Sequence, residues 1–357
     1  MTTTYGFDRF IRLDADDAPE LLARMSKDDL GIDGERYGIF SRLIARPDAT
    51  VVDLACAVVE KLMRECSGSC RDIGALVLSS RMVDVEETAS AVVDQLGINC
   101  AANGIERACS GFPAATELGL KVCRELQRPV VVVTAEIISC SINWEPPADD
   151  PGDHQRARGQ ASKLFGDGAA AVMIRPDTDG QVHQILDAWI DDVPDDKQLI
   201  QKAEIVDTVD PWGNVRPGEC GCMSMPGRRG FYLVKRAPQI MADSISRSRQ
   251  NASDEFENGE QIDHVIPHQA NGLIISRLQT NLAAEGCQSP HVWDCIKNSG
   301  NTVSASIPLA MAEVQDKLPP GVLVAMPSVG AGGPGYRPDT LSTGCVLVRT
   351  GDQVDGR

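Results

Sequence analysis

Residues 105–126, IERACSGFPAATELGLKVCREL, decide how the rest of the chain is read. Cys109 falls where an extended run ends and a helix begins. Beyond it Ala114, Ala115, Leu118, Val122 and Leu126 recur at helical spacing. Pro113 is tolerated there only in the first turn, where its missing N–H is not needed. A thiol at a helix N-terminus feels unpaired N–H groups and the positive end of the peptide dipoles. Both favour thiolate, the nucleophilic form, so a lowered pKa is expected at Cys109. Taken alone, one of twelve cysteines is more often a small packing hydrophobe.

Outward from this stretch, short apolar runs alternate with amphipathic ones. Upstream, residues 4–13 read as a strand, followed by an acidic stretch and a short helix. Residues 51–66 and 89–96 read as helices, and 73–79 (IGALVLS) as a strand covered on both faces. Downstream come a buried strand at 129–134 (PVVVVT), a polar loop at 143–160, and a glycine-containing turn feeding a strand at 163–174. The remainder repeats the theme. Helices are expected at 231–247, 271–284 and 304–317, and strands at 263–267, 322–326 and 344–349. Such alternation implies an α/β protein of two similarly ordered halves. The division is expected at residue 175, with the cysteine in 1–175 and the remaining motifs in 176–357.

The chain has 357 residues, 42% hydrophobic and 24% charged, enough for a substantial core. A net charge of −17 repels nucleic acid and anionic membranes, and both are excluded as partners. No apolar run reaches spanning length and no signal peptide is apparent, so a cytoplasmic location with reduced thiols is expected. Cys66 with Cys70, and Cys220 with Cys222, lack the second ligand pair that a structural zinc site needs, and no metal is expected. Cys56, Cys100, Cys123, Cys140 and Cys345 lie in apolar contexts and read as packing thiols.

Two later motifs turn Cys109 into part of a site. In VIPHQAN (265–271), His268 follows a strand and precedes a helix. In NSGNTVSASIPLA (298–310), Asn301 sits in a glycine-containing turn before a helix of small residues. A thiol, an imidazole and a carboxamide suit carbon–carbon bond formation from thioesters. The thiol is acylated, and the other two hold a thioester carbonyl as it becomes an enolate. Each has a plainer reading alone: a structural histidine, a turn asparagine. Residues 330–335 (GAGGPG) are either a flexible loop or a backbone donor close to a ligand.

Together with FGDGAA at 165–170, these motifs resemble, in order and spacing, the β-ketoacyl-acyl-carrier-protein synthase III family of the thiolase fold. The resemblance spans about residues 50 to 349. It implies a five-layered αβαβα fold of two similar halves, as a homodimer. It implies Cys109 as the acyl-carrying nucleophile, with His268 and Asn301 promoting decarboxylation of a malonyl thioester. The resulting enolate attacks the acyl group in a Claisen condensation. The backbone N–H groups of Cys109 and Gly332 would form the oxyanion hole. Arg158 would lie beside the adenine of coenzyme A, and Asn271 and Phe112 would contact substrate. Coenzyme A or acyl-carrier-protein thioesters are the implied substrates, with no separate cofactor. Lys235, Arg236 and Arg277 are candidates for the carrier-protein face, although charges on a helix are more often just solvated.

Some features depart from the family. The N-terminus is short. Residues 34–45 (GERYGIFSRLIA) lack the adenine-clamping tryptophan, and 334–343 read as an insertion near the acyl tunnel. These favour a specialised member that builds a polyketide or similar secondary metabolite over the housekeeping initiator of fatty acid synthesis. Three other readings stay open. The acyl group could pass to an oxygen or nitrogen nucleophile, with His268 as general base. Two long acyl groups could condense without decarboxylation. The chain could be a non-catalytic partner subunit of the same fold. The acidic loop at 145–153 is expected to flank the site entrance.

Overall fold

The computed structural model describes residues 3–31, 37–65, 73–81, 83–142, 144, 161–177, 180, 182–195, 201–205, 208–216, 221–224, 227–256, 260–284, 289–331 and 339–351. The strands of the first part are β1 (Tyr5–Phe7), β2 (Ile11–Arg12), β3 (Leu22–Ser26), β4 (Ser41–Ala45), β5 (Ala75–Ser79), β6 (Ala101–Ile105), β7 (Val130–Glu136) and β8 (Gly168–Pro176). Its helices are α1 (Val51–Glu65), α2 (Val85–Leu96) and α3 (Gly111–Leu126). After β9 (His183–Pro194) come the short strands β10 (Gln201–Ile205), β11 (Thr208–Val209), β12 (Val215–Arg216) and β13 (Gly221–Ser224). The last part holds α4 (Gly227–Asn251), β14 (His264–Val265), α5 (Gly272–Ala284), β15 (His291–Val292), α6 (Ser306–Val314), β16 (Leu323–Ala331) and β17 (Thr340–Arg349).

The layering follows from side-chain alternation, since successive residues of a strand face opposite ways. In β7, Val131, Val133 and Ala135 join the core under α1 and α2, whereas Val130 and Val132 face α3. In β16, Leu323, Ala325 and Val329 pack toward α4 and α5, whereas Val324 and Met326 face the opposite way. That other core holds Phe112 and Leu120 of α3 and Ile307 and Met311 of α6, between strands of both parts. The five layers are thus α1/α2, sheet, α3/α6, sheet, α4/α5. Strands with both faces covered read as continuous apolar runs, as PVVVVT does.

The strand order is β15-β14-β16-β17-β9-β1-β8-β7-β5-β6. β5 is parallel to β6 and β7, and β7–β8 and β8–β1 are antiparallel. The other side repeats this pattern. β14 is parallel to β15 and β16, and β16–β17 and β17–β9 are antiparallel. β1 and β9 join the two through Gly6–Gln184 and Phe7–His183.

Several expectations are corrected. Residues 4–13 form two short strands, and the segment before residue 48 holds the β3–β4 hairpin in place of a short helix. β9 was not expected: HQILDAWIDDVP carries too many acids to read as a strand, yet it pairs with β17 along most of its length. Residues 340–343 of the expected insertion belong to β17, and 334–338 lie outside the described residues. Among the described residues no helix is long and apolar enough to cross a membrane.

Candidate active site

Cys109 sits in a 3₁₀ turn, Ala108–Ser110, that leads directly into α3. Ala108 has φ +45°, a left-handed conformation that costs an L-residue energy and is retained where surroundings over-determine it. Those surroundings are specific. Ser110 Oγ donates to Ser342 O of β17 at 3.0 Å. Gly330 of β16 lies flat against Cys109: a Cβ built there would stand 2.8 Å from Cys109 Cβ and 2.9 Å from its backbone N. Only glycine allows that approach.

His268 follows β14, and its backbone N–H donates to Pro327 O of β16 at 2.9 Å, three residues before Gly330. Its Nδ1 lies 2.6 Å from Ser306 Oγ at the start of α6. The Gln269 backbone N–H also points at that oxygen, at 3.4 Å. A hydroxyl has one proton and two acceptor sites, so Ser306 Oγ can accept from Gln269 and pair with His268 Nδ1 at the same time, which turns Nε2 away from this contact. Asn301 is held by the FGDG motif: its N–H donates to Leu164 O at 2.8 Å, and Gly166 N–H donates to its carbonyl at 3.1 Å. Its side-chain oxygen accepts from Val303 N–H at 3.0 Å, leaving the NH₂ group as the donor. Gly300, at φ +64°, makes the turn, and Val303 takes the strained value φ +52°. The 3₁₀ turn Val303–Ala305 then packs beside the Cys109 turn.

The electrostatics overturn one expectation. Burial pushes the Cys109 thiol up to about 12, with Arg81 pulling it down and Glu136 adding to the rise. Some of its surface still meets solvent, yet protein atoms surround the sulfur densely. The helix end does not outweigh that desolvation, so the resting group is a thiol. Burial likewise pushes Cys345 up to about 12 and Cys123 to about 11. What distinguishes Cys109 is its setting. Burial pushes His268 down to about 3, so its imidazole is neutral at every physiological pH.

Of the other expected residues, Phe112 is corrected. It is fully buried, stacked on Phe7 at 6.0 Å, and belongs to the central core, because the first turn of α3 points it between the sheets. Asn271 caps α5, its side-chain oxygen accepting from Ile274 N–H at 3.0 Å. Arg158, Gly332, Cys66, Cys70, Cys220 and the loop 145–153 lie outside the described residues. Lys235 and Arg277 are exposed, whereas Arg236 pairs with Asp195 at 3.3 Å. Cys56, Cys123 and Cys345 are buried, and Cys100 and Cys140 half-buried. Among the described residues no cluster of His, Cys, Asp or Glu is arranged to hold a metal ion.

Glu136 is the residue that sequence reading missed. It ends β7, is fully buried, and accepts from Arg81 N–H at 3.0 Å, Ser304 N–H at 3.3 Å and Ser304 Oγ at 2.5 Å. It thereby ties the end of β5 to the Asn301 turn. An acid closing an otherwise almost wholly apolar strand was the signal available. Asp167 of FGDG is also buried, accepting from Ala45, Ile138 and Ser139 backbone N–H groups and from the Ser139 hydroxyl.

The layer order, the repeated strand pattern and a cysteine at the start of a central helix define a thiolase-like fold. The comparisons agree. FabH of Pseudomonas aeruginosa superposes with a TM-score of 0.70 at 23% identity, covering 98% of this chain and 99% of that one. OleA of Xanthomonas campestris, solved with lauric acid and lauroyl-CoA, gives 0.73 at 18%, covering 98% and 100%. The model of the 3-oxoacyl-[acyl-carrier-protein] synthase III family matches residues 104–192, and its C-terminal counterpart matches 257–336. The β-ketoacyl-[acyl-carrier-protein] synthase III of Nitratidesulfovibrio vulgaris is 30% identical over 308 residues, 83% of this chain and 86% of that one. The 3-oxopimeloyl-[acyl-carrier-protein] synthase of Rhodothermus marinus is 31% identical over 305 residues, 83% of this chain and 81% of that one. The chain belongs to the β-ketoacyl-acyl-carrier-protein synthase III family, a family of acyl-transferring synthases.

Proposed function

We propose that the protein loads an acyl group from coenzyme A or an acyl carrier protein onto Cys109 and extends it with a malonyl thioester. In loading, the Cys109 sulfur replaces the donor's sulfur at the acyl carbon. The thiol proton leaves with the departing thiolate. In extension, the malonyl carboxylate leaves as CO₂ and its electron pair forms an enolate. His268 Nε2–H and the Asn301 NH₂ are the two donors for that enolate oxygen, and neither needs a positive charge. The enolate carbon attacks the acyl carbon, and the released Cys109 sulfur takes up a proton. The observation that supports this reading is the anchoring of both partners: Ser306 Oγ holds His268 Nδ1 and leaves Nε2 for the substrate, and Val303 N–H takes the Asn301 oxygen and leaves its NH₂ group as the donor.

The departures in sequence favour a product of secondary metabolism, a polyketide or relative. One relative is named for a 3-oxopimeloyl product, a chain with a carboxyl at its far end, so the family accommodates more than one acyl class. A homodimer fits the edge of β6, which among the described residues pairs only with β5. A cytoplasmic setting suits the reduced thiols the site requires.

The test is intact-protein mass after brief exposure to a panel of acyl thioesters, with Cys109→Ala as control. A mass gain absent from the variant, followed by CO₂ release equal to product when malonyl thioester is added, is the expected result. Product without matching CO₂ refutes decarboxylative extension. Activity that survives Asn301→Ala but not His268→Ala indicates transfer to an oxygen or nitrogen acceptor.

A further inference from the structure

Arg42 of β4 is fully buried, yet among the described residues no carboxylate hydrogen-bonds to its guanidinium. Burial lowers it to about 10, so it keeps its charge at neutral pH. Asp167 is the nearby acid, and its oxygens are committed to Ala45, Ile138 and Ser139. A buried charge is costly unless its donors find partners. Those of Arg42 converge on one turn. Nη1 donates to Ser162 O at 2.8 Å and to Phe165 O at 2.7 Å, and Nη2 to Lys163 O at 3.3 Å. Nε has no partner among the described residues. One planar fork therefore gathers three carbonyls of a single turn, which a point charge such as lysine does less well.

The remaining carbonyl of that turn, Leu164 O, accepts the Asn301 N–H. The turn that Arg42 gathers is thus the one from which Asn301 hangs. The segments meet closely: a Cβ at Gly166 would collide with Ser299 O and stand 3.1 Å from Arg42 Cβ. The β3–β4 hairpin also grips the chain just before Asn301. Phe40 N–H donates to Lys297 O at 2.9 Å, Ser41 Oγ to Asn298 Oδ1 at 3.3 Å, and Arg24 Nη1 to Asn298 O at 3.1 Å. Cys109 is held from elsewhere, by Gly330 of β16 and Ser342 of β17.

We propose that Arg42 is a positioning residue for extension: it fixes the turn at 161–166, and through it the direction in which Asn301 presents its NH₂ group to the enolate. The inference rests on the decarboxylative extension proposed above.

Acylation of Cys109 by acetyl-, hexanoyl- and lauroyl-CoA is timed by intact mass, and CO₂ release is timed after malonyl-CoA is added, in the wild type, Arg42→Lys and Arg42→Met. In Arg42→Lys, loading should stay within about twofold of the wild type while extension slows roughly tenfold, because a misplaced donor costs rate steeply. Arg42→Met should extend more slowly still. Equal slowing of both steps, or unchanged extension, overturns the proposal. In Asn301→Ala protein, adding Arg42→Lys should slow extension no further, since the second residue acts through the first. A second loss of the same size overturns it. Hydrogen exchange tests the positioning apart from catalysis. Peptides spanning 161–166 and 299–303 should exchange faster in Arg42→Lys than in the wild type, with 105–115 unchanged, and unchanged exchange at 299–303 refutes the proposal. If neither variant folds, the wild type decides: 41–45, 161–166 and 299–303 should lose protection together as urea is raised, and separate opening of 299–303 refutes it. If the wild type fails to load or to release CO₂, it is the functional reading that fails, and exchange alone decides the role of Arg42.

Discussion

Two helices begin in the central layer, and their first turns are built alike. The start of α3 runs Ala108-Cys109-Ser110-Gly111, and that of α6 runs Val303-Ser304-Ala305-Ser306. Each is a 3₁₀ turn opened by a residue in the left-handed region, at φ +45° and φ +52°. They press on one another: a Cβ on Gly111 would collide with Ser304 Cβ at 2.7 Å. Their chemistry differs entirely. The first presents a thiol to the site. The second presents hydroxyls that hold other groups, Ser304 on Glu136 and Ser306 on His268. The repeated fold supplies two equivalent positions, and side-chain choice puts a thiol at one and supporting hydroxyls at the other.

Breaking the first turn should have the largest effect. Gly330→Ala drives a methyl group into Cys109, and loading should fall roughly 100-fold, the scale of an ångström's misplacement of a reacting group. Acylation rates by intact mass measure it, and an unchanged rate would show that Gly330 does not fix the nucleophile. On the second turn, Ser306→Ala should leave loading intact and slow extension about tenfold, because the imidazole loses the hydroxyl that holds its ring in place. Loading and CO₂ release, timed separately, distinguish the two steps. Equal slowing of both would mean that Ser306 serves the whole site rather than His268.

The bridge between the turns should appear in stability against pH. Glu136 titrates near 4.5 when unfolded and about 8 when folded. Between those values the folded protein keeps a proton that the unfolded chain has lost. Stability from this group therefore falls as pH rises through the interval, by at most about 1.4 kcal/mol per pH unit. Urea midpoints at pH 5 and pH 8 should converge in Glu136→Gln relative to the wild type. A wild-type difference that persists in the variant assigns the slope to other groups. The smallest effect concerns strain: Ala108→Gly should raise stability by about 1 kcal/mol, because glycine adopts φ +45° without the Cβ clash. Denaturant unfolding checks it, and a loss of stability would mean that the buried methyl outweighs the strain.

The junctions of strand, turn and helix that hold Cys109, His268 and Asn301 were legible because such junctions leave a short signature. The strands at 73–79 and 129–134 were legible for a similar reason, since burial on both faces makes them uniformly apolar. The β3–β4 hairpin and β9 were not, because their stability comes from partners far along the chain and their own composition is mixed. Phe112 shows the same limit at one residue. Its place in the motif suggested substrate, and only the packing of Phe7 and Phe10 against it reveals a core residue.

The sequence by itself determined the alternating α/β character and the strand–turn–helix junctions that carry Cys109, His268 and Asn301, because periodicity and turn chemistry are local properties of a chain. The tertiary structure decided which charge states those groups take. Burial makes Cys109 a resting thiol, keeps His268 neutral and raises Glu136 toward neutrality. Desolvation depends on every atom packed around a group, and those atoms come from β5, β7, β16 and the turn before α6, segments brought together only by folding.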